Sequence, residues 1–249
     1  MKVSISMESR KQNSKMKIAG LQKVTTIDYP GKIACTIFLY GCNFRCGFCH
    51  NPDLVTKKFE GGFSEEEILE FLEKRFGKLD AVCFTGGEPL MTIDFDFVKK
   101  IKDLGYKIKM DTNGVFPDRL SELIDKNLVD YIAMDIKGTR ENYSEVAGVI
   151  VDIEKIEKSI KKIHEFGNYE FRTTIVNKFH SINSMVETGK WLNKICGGRP
   201  KEFFLQGFKK DGGEMIDPNF LKEENISEEF LKELKKNIEI FFEKVDIRV

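Results

Sequence analysis

The chain alternates short, continuously apolar runs with longer stretches whose apolar residues recur every three or four positions. Ile33–Leu39 is apolar and β-branched, and predicts a strand covered on both faces. Ser64-Glu65-Glu66-Glu67 has capping-box form, with Ser at the N-cap and Glu at the third helical position. Ile68, Leu69, Leu72 and Phe76 mark the inward face of the helix it starts. Ala81–Phe84 predicts the next strand, followed by a helix carrying Phe97, Ile101 and Leu104. The pattern then repeats: Tyr106–Met110 as strand and Pro117–Lys126 as helix, then Val129–Ile136 as strand before a helix marked by Ile153, Ile156, Ile160 and Ile163. Tyr169–Val176 predicts a fifth strand, and Asn183–Ile195 a helix stopped by Gly197-Gly198. Phe203–Gln206 predicts a sixth. Ser227 opens a last helix with Phe230, Leu231, Leu234, Ile238 and Phe241 facing inward, and Val245–Val249 is a candidate for one more strand.

Strand–helix units in series imply a parallel sheet with right-handed crossovers. Six units either roll into an incomplete barrel or lie flat as a doubly wound sheet, and periodicity does not choose between them. No internal repeat or low-complexity linker divides the chain, so the expectation is a polar, flexible tail over residues 1–15 and one domain over residues 16–249.

Composition narrows the classes. Among 249 residues, 40 Lys+Arg balance 40 Asp+Glu, which argues against a nucleic-acid partner, since that needs a basic footprint. No stretch approaches the roughly 20 apolar residues of a membrane span, and the first fifteen lack the apolar core of a secretory signal. Of six cysteines, at positions 35, 42, 46, 49, 83 and 196, three cluster and three stand alone. That is not the spacing of a disulfide scaffold, and the expected compartment is the reducing cytoplasm.

The cluster carries the chemistry. Cys42, Cys46 and Cys49 stand at C-x3-C-x2-C in a loop directly after a strand. Thiolates hold iron–sulfur clusters or zinc. Three local thiols leave one iron of a four-iron cluster without a protein ligand, open to bind a substrate. A zinc site would need a remote fourth ligand, and His50, adjacent to Cys49, is poorly placed for that. Cys35, Cys83 and Cys196 read as core residues. Polar residues also end successive strands: Gly86-Gly87-Glu88-Pro89, Asp111-Thr112-Asn113-Gly114, Asp135-Ile136-Lys137-Gly138, and Arg172 on the fifth strand. A single Asp at a strand end is an ordinary turn former, whereas repetition over neighbouring strands suits a site at the carboxyl ends of a barrel. His164, on an amphipathic helix, and His180, in a loop, read as bystanders to acid–base chemistry.

C-x3-C-x-aromatic-C followed by Gly-Gly-Glu-Pro resembles the radical S-adenosylmethionine superfamily. The resemblance implies an incomplete (β/α)6 TIM-like barrel of parallel strands. It also implies a single [4Fe-4S] cluster on Cys42, Cys46 and Cys49 and bound S-adenosyl-L-methionine, with no catalytic side chain beyond the cofactor ligands. Phe48 is implied at the adenine and Gly86, Gly87 and Glu88 at the methionine amino group. Asp111, Asp135, Ile136 and Lys137 would also hold the cofactor, with His50 and Gln206 beside it. Thr26-Ile27-Asp28-Tyr29-Pro30-Gly31 and Cys49-His50-Asn51-Pro52 resemble activating enzymes of glycyl-radical enzymes, above all those of anaerobic ribonucleoside-triphosphate reductase. Gln206 stands where the pyruvate formate-lyase type carries His. The implied activity is reductive cleavage of S-adenosylmethionine by an electron from a flavodoxin or ferredoxin-type donor. The 5′-deoxyadenosyl radical then takes hydrogen from a glycine of a partner glycyl-radical enzyme. The same core acting on a small molecule or a peptide is the alternative, and a zinc-stabilised binding module is the non-catalytic one.

Overall fold

The computed structural model describes residues 16–210 and 213–248. The expected tail over residues 1–15 lies outside them, as does Val249. Among the described residues eight strands form one sheet: β1 Ile18–Thr25, β2 Ala34–Leu39, β3 Ala81–Gly86, β4 Lys107–Thr112, β5 Tyr131–Asp135, β6 Tyr169–Ile175, β7 Glu202–Gly207 and β8 Lys244–Arg248. Their spatial order is their sequence order, and β1 and β8 do not pair, so the sheet curls without closing. From β2 to β8 every pairing is parallel, while β1 runs antiparallel to β2.

The six predicted strands are β2 to β7, and the candidate seventh is β8. The extra strand is β1. Its sequence, Ile-Ala-Gly-Leu-Gln-Lys-Val-Thr, lacks a buried run because an edge strand needs only one covered face, and most of it is exposed or half-buried. One helix-face assignment also changes. Ile68 and Leu72 are buried under the helix Glu65–Arg75, but Phe76 is 70% exposed. The helix ends at Arg75, and the extended ψ of 132° at Phe76 turns its side chain off the apolar stripe. The Ser64–Glu67 capping box forms as read, and Gly197 closes the helix Ile182–Cys196 in the left-handed conformation at φ 67°. No helix of the described residues is long and apolar enough to cross a membrane.

Strand side chains alternate between two faces. One set, including Ile37, Phe84, Ile108, Ile132, Phe171 and Leu205, packs under the helices in the main core. The other set faces the hollow of the curled sheet. At the amino ends of the strands that hollow is plugged by a separate cluster of Tyr29, Ala34, Ala81, Cys83 and Tyr131, with the two tyrosine rings 5.7 Å apart. The Thr26–Gly31 segment thus forms the floor of the barrel. Asp28 accepts a 2.5 Å hydrogen bond from the Thr36 hydroxyl, and the Thr25 hydroxyl oxygen accepts from the backbone N–H groups of Ile27 and Asp28.

Tyr29→Ala is therefore expected to lower unfolding stability by about 3 kcal/mol, the usual cost of deleting a buried aromatic side chain. Phe76→Ala should change it by less than about 0.5 kcal/mol. Urea unfolding of both variants checks the contrast.

Candidate active site

Cys42, Cys46 and Cys49 line one cavity of about 350 Å³, which also receives Thr85, Asp111, Asp135, Arg172, Thr174 and Gln206 from the carboxyl ends of β3 to β7. That volume lies in the range of small-molecule sites. The cysteine loop leaves β2 and is held from several sides. Arg45 N–H donates to the Ala147 carbonyl at 2.8 Å, and its guanidinium donates to the Cys42 and Phe44 carbonyls at 2.7 and 2.8 Å. Asp217 N–H donates to the Gly47 carbonyl at 3.0 Å, and a Cβ on Gly47 would stand 2.4 Å from the Phe220 ring. Burial pushes all three thiols up, that of Cys42 to about 12 with the Glu88 charge adding to the effect. Such sulfurs ionise when a metal takes the place of the proton. Among the described residues no three His, Cys, Asp or Glu side chains converge on a single ion. Three thiols on one cavity suit a cluster, whose thiolates bind different irons.

The Gly-Gly-Glu-Pro turn locks onto this loop by backbone contact. Gly87 N–H donates to the Leu39 carbonyl and Glu88 N–H to the Gly41 carbonyl, both at 2.8 Å. Gly86 has φ 108°, and a Cβ on Gly87 would lie 1.9 Å from the Gly41 carbonyl oxygen. Only glycines permit that approach. Glu88, buried, accepts hydrogen bonds from Leu90 N–H at 3.0 Å, the Thr112 hydroxyl at 2.8 Å and Asn113 N–H at 2.6 Å. Burial pushes its carboxyl up to about 7 against these donors. Its side chain is thereby a crossbar between the β3 and β4 ends. Asn113 in turn donates to the Asn43 side chain at 3.0 Å, with its amide 3.9 Å from Cys42 Sγ.

Beneath the cavity, ion pairs link Lys109, Lys137, Arg172 and Arg248 with Asp111, Asp135 and Glu170. Arg172 is the hub, donating from Nε to Asp135 at 2.6 Å and from Nη2 to Asp111 at 3.0 Å. Lys109 pairs with the other Asp111 oxygen, Lys137 with the other Asp135 oxygen at 3.2 Å, and the Thr85 hydroxyl donates to Asp111 at 3.1 Å. The Arg172 charge holds the Asp111 and Asp135 carboxyls below their ordinary range although burial alone would raise them, and Asp135 raises Lys137. These pairs join four cations to three carboxylates, and Glu88 adds a further carboxylate to the cavity lining.

Of the residues expected at the site, all but Ile136 line the cavity. Ile136 is buried outside it, its N–H donating to the Arg172 carbonyl and its own carbonyl accepting from the Thr173 hydroxyl. Phe48 packs against Phe179 and Phe220 with centroids 6.1 and 5.7 Å away. His50 is exposed, where the cavity meets a second groove lined by Gly20, Phe38, Lys57 and Glu214. The floor segment Thr26–Gly31 does not line the cavity. His164 is tied to the Tyr169 hydroxyl at 2.7 Å. His180 is buried, accepting at Nδ1 from Val176 N–H at 3.0 Å and donating from Nε2 to the Lys137 carbonyl at 2.9 Å. It takes no part at the cavity, yet it fixes the backbone that carries Lys137. Sequence reading placed Asn113 at a polar strand end without giving it a role, and missed Thr85 and the bridging role of Arg172. A signal existed in the alternation of β6, where the polar residues Glu170, Arg172 and Thr174 recur at every second position of a largely buried strand.

Gly87→Ala is expected to cost about 1–3 kcal/mol through overpacking and to lower iron and sulfide per chain after anaerobic reconstitution. Cys46→Ala should lose the cluster, whereas Cys83→Ala should keep it. A second expectation concerns acid. Burial lowers the His180 pKa below its ordinary 6.5, so its contribution to stability is present above that value and is lost as the pH falls through the lowered pKa. Stability of the parent should then drop more steeply than that of His180→Gln on acidification from neutrality, by at most about 1.4 kcal/mol per pH unit. Urea midpoints measured across that range decide it.

Residues 36–192 match the family model described as the Radical SAM superfamily. A Methanocaldococcus jannaschii protein, named as a candidate glycyl-radical enzyme activating enzyme, is 35% identical over 205 residues, which cover 78% of this chain and 84% of that protein. The pyruvate formate-lyase-activating enzyme of Clostridium pasteurianum is 33% identical over 129 residues, 49% of this chain and 53% of that protein, so the match spans about half of it. Among solved structures, Streptococcus suis SuiB bound to S-adenosylmethionine aligns with a TM-score of 0.63 at 15% identity, over 84% of this chain and 48% of that one. A domain of pyruvate-formate lyase-activating enzyme from Bacteroides vulgatus aligns at 0.54 and 18% identity, over 68% of this chain and 99% of that one. These structures share the fold, a partly closed barrel. Three thiols on one cavity, with paired carboxylates and cations at its floor, fit the cofactors of that family, a [4Fe-4S] cluster and S-adenosyl-L-methionine, and the chain belongs to the radical S-adenosylmethionine superfamily.

Proposed function

We propose that this protein is an activating enzyme that installs a glycyl radical on a partner enzyme. The observation that carries the reading is the match along 84% of a relative named for that activity, and the open side of the sheet between β1 and β8 supports it. When bound, the cluster and S-adenosylmethionine supply a one-electron cleavage of the sulfonium and, with it, an acceptor for a hydrogen atom.

The chain's own residues bind, orient and exclude water. Cys42, Cys46 and Cys49 hold the cluster. Lys137 would receive the ligand carboxylate, and Asp135 would accept from its hydroxyls. The Glu88 crossbar keeps the Gly86-Gly87 backbone against the cluster loop, where its polar groups meet the ligand's amino group. Phe48, backed by Phe179 and Phe220, offers an apolar face to the adenine and keeps water from the reacting atoms. Hydrogen-atom transfer needs no acid or base, which accords with a site whose side chains are engaged in fixed pairs.

The glycine to be oxidised must come into contact with the cavity. The groove along Gly20 and Phe38, which shares His50 and Asn51 with the cavity, is a path by which an extended segment reaches it. The proposed partner is a glycyl-radical enzyme such as anaerobic ribonucleotide reductase, and the proposed reductant a flavodoxin or ferredoxin-type protein. The Thr26–Gly31 segment, whose likeness to the reductase activators motivates that partner, lies at the barrel floor and does not line the cavity.

Lys137→Met and Asp135→Asn are expected to keep the cluster and weaken S-adenosylmethionine binding roughly ten- to a hundred-fold, the loss of a charge-assisted contact in a partly dry site. Equilibrium dialysis with reconstituted protein measures it. For the activity, the protein is incubated anaerobically with the reductase, S-adenosylmethionine and a reductant. A doublet in the electron paramagnetic resonance spectrum that collapses on α-deuteration of the partner's glycine is the expected result. Formation of 5′-deoxyadenosine with no protein radical would assign the enzyme to a small-molecule or peptide substrate instead.

A further inference from the structure

Glu170 and Arg248 face each other below the cavity and line no part of it. Glu170 comes from β6, two residues before Arg172, and its side chain is 1% exposed. Arg248, the last residue of β8, meets it in a two-pronged pair, Nη1 to Oε1 and Nη2 to Oε2, both at 2.7 Å. The Arg248 guanidinium also lies 3.6 Å over the Phe204 ring, and the Tyr131 hydroxyl donates to Glu170 at 3.2 Å. A carboxylate buried to this degree must be paired. It has a second possible cation: Arg172 Nη1 stands 3.9 Å from Glu170 Oε1, beyond hydrogen-bond distance. Arg172 thus has three carboxylates within reach and gives its short bonds to two of them, Asp135 and Asp111.

We infer that Arg248 is a positioning residue for S-adenosylmethionine: by saturating Glu170 it leaves Arg172 to hold Asp111 and Asp135, the two strand-end carboxylates at the cavity floor. Without Arg248, Glu170 is a buried charge with one hydroxyl for a partner, and the nearest cation is Arg172. A shift of Arg172 by about 1 Å would make that pair a direct one and would loosen the bonds to Asp135 or Asp111. Lys137 pairs with Asp135, so the disturbance reaches the cation proposed to take the ligand carboxylate. The last described residue of the chain is in this way coupled to a cofactor pocket it does not touch. The inference rests on the reading that Asp135 and Lys137 hold S-adenosylmethionine.

A network of this kind responds to charge rather than to packing, which gives the test its form. Arg248→Met removes the cation and strands Glu170. Glu170→Gln removes the anion and strands nothing, because Arg248 is 35% exposed and its head can turn to water. The double variant removes both. S-adenosylmethionine affinity is measured by equilibrium dialysis on the cluster-loaded full chain, with iron per chain and the thermal midpoint taken alongside. Arg248→Met is expected to weaken binding about tenfold, whereas Glu170→Gln and the double variant stay within about threefold of the parent. Equal weakening in all three would mean that the pair acts through packing, and the inference falls. Parent-like affinity in Arg248→Met while Asp135→Asn binds poorly also overturns it, leaving the cofactor reading intact. Parent-like affinity in both would overturn the cofactor reading as well. Should Arg248→Met not load its cluster, Arg248→Lys serves. It keeps the charge and loses the fork, so affinity within about threefold of the parent is expected and a tenfold loss would sink the idea.

Discussion

Arg172 sits between Asp111 and Asp135 in a barrel hollow where water is scarce, and each charge there is stable only while its partners stay in place. The partners come from different strands: Lys109 and Asp111 from β4, Asp135 from β5, Glu170 and Arg172 from β6, and Arg248 from β8. Parallel pairing in sequence order, with Asp135 opposite Arg172 in register, makes the network possible. A slip of one residue on β6 would turn Arg172 into the apolar layer under the helices and Phe171 into the hollow. The network therefore ties register to chemistry.

Above it, the site depends on backbone contact more than on side chains. The cluster loop and the Gly-Gly-Glu-Pro turn exchange hydrogen bonds through Gly41, Gly87 and Glu88, and no Cβ fits where Gly87 meets Gly41. The segment after β7 closes over the same loop, with Asp217 bound to Gly47 and Phe220 against Phe48. Two remote pieces of chain thus help to fix where the three sulfurs stand. This explains why flexible loops can carry a metal site: their freedom has been removed by neighbours, at positions where glycine allows the approach.

The pattern of apolar positions foretold six strands and their helices because buried parallel strands are apolar on both faces and amphipathic helices repeat every three to four residues. The antiparallel edge strand β1 escaped it, being half-covered and polar over Gln22-Lys23. The Thr26–Gly31 segment shows a different limit. Its residues were legible as a motif, but their place at the barrel floor, with Tyr29 against Tyr131, depends on strands about a hundred residues apart in sequence coming together. Phe76 and Ile136 show the same limit at single positions, where the backbone turn or the strand face decided what the spacing left open.

What the sequence by itself determined is the chemistry of the donors. Three thiols at C-x3-C-x2-C and the polar strand ends at Glu88, Asp111, Asp135 and Lys137 are local facts, and local facts survive in one dimension. What only the tertiary structure decided is how those groups are balanced. The bridge of Arg172 between two carboxylates, the crossbar of Glu88 between two loops, the hold of His180 on the Lys137 carbonyl and the pairing of Glu170 with Arg248 each join residues that different strands or loops bring together. Electrostatic energy depends on distance in space and on exclusion of water, and neither is written in sequence spacing.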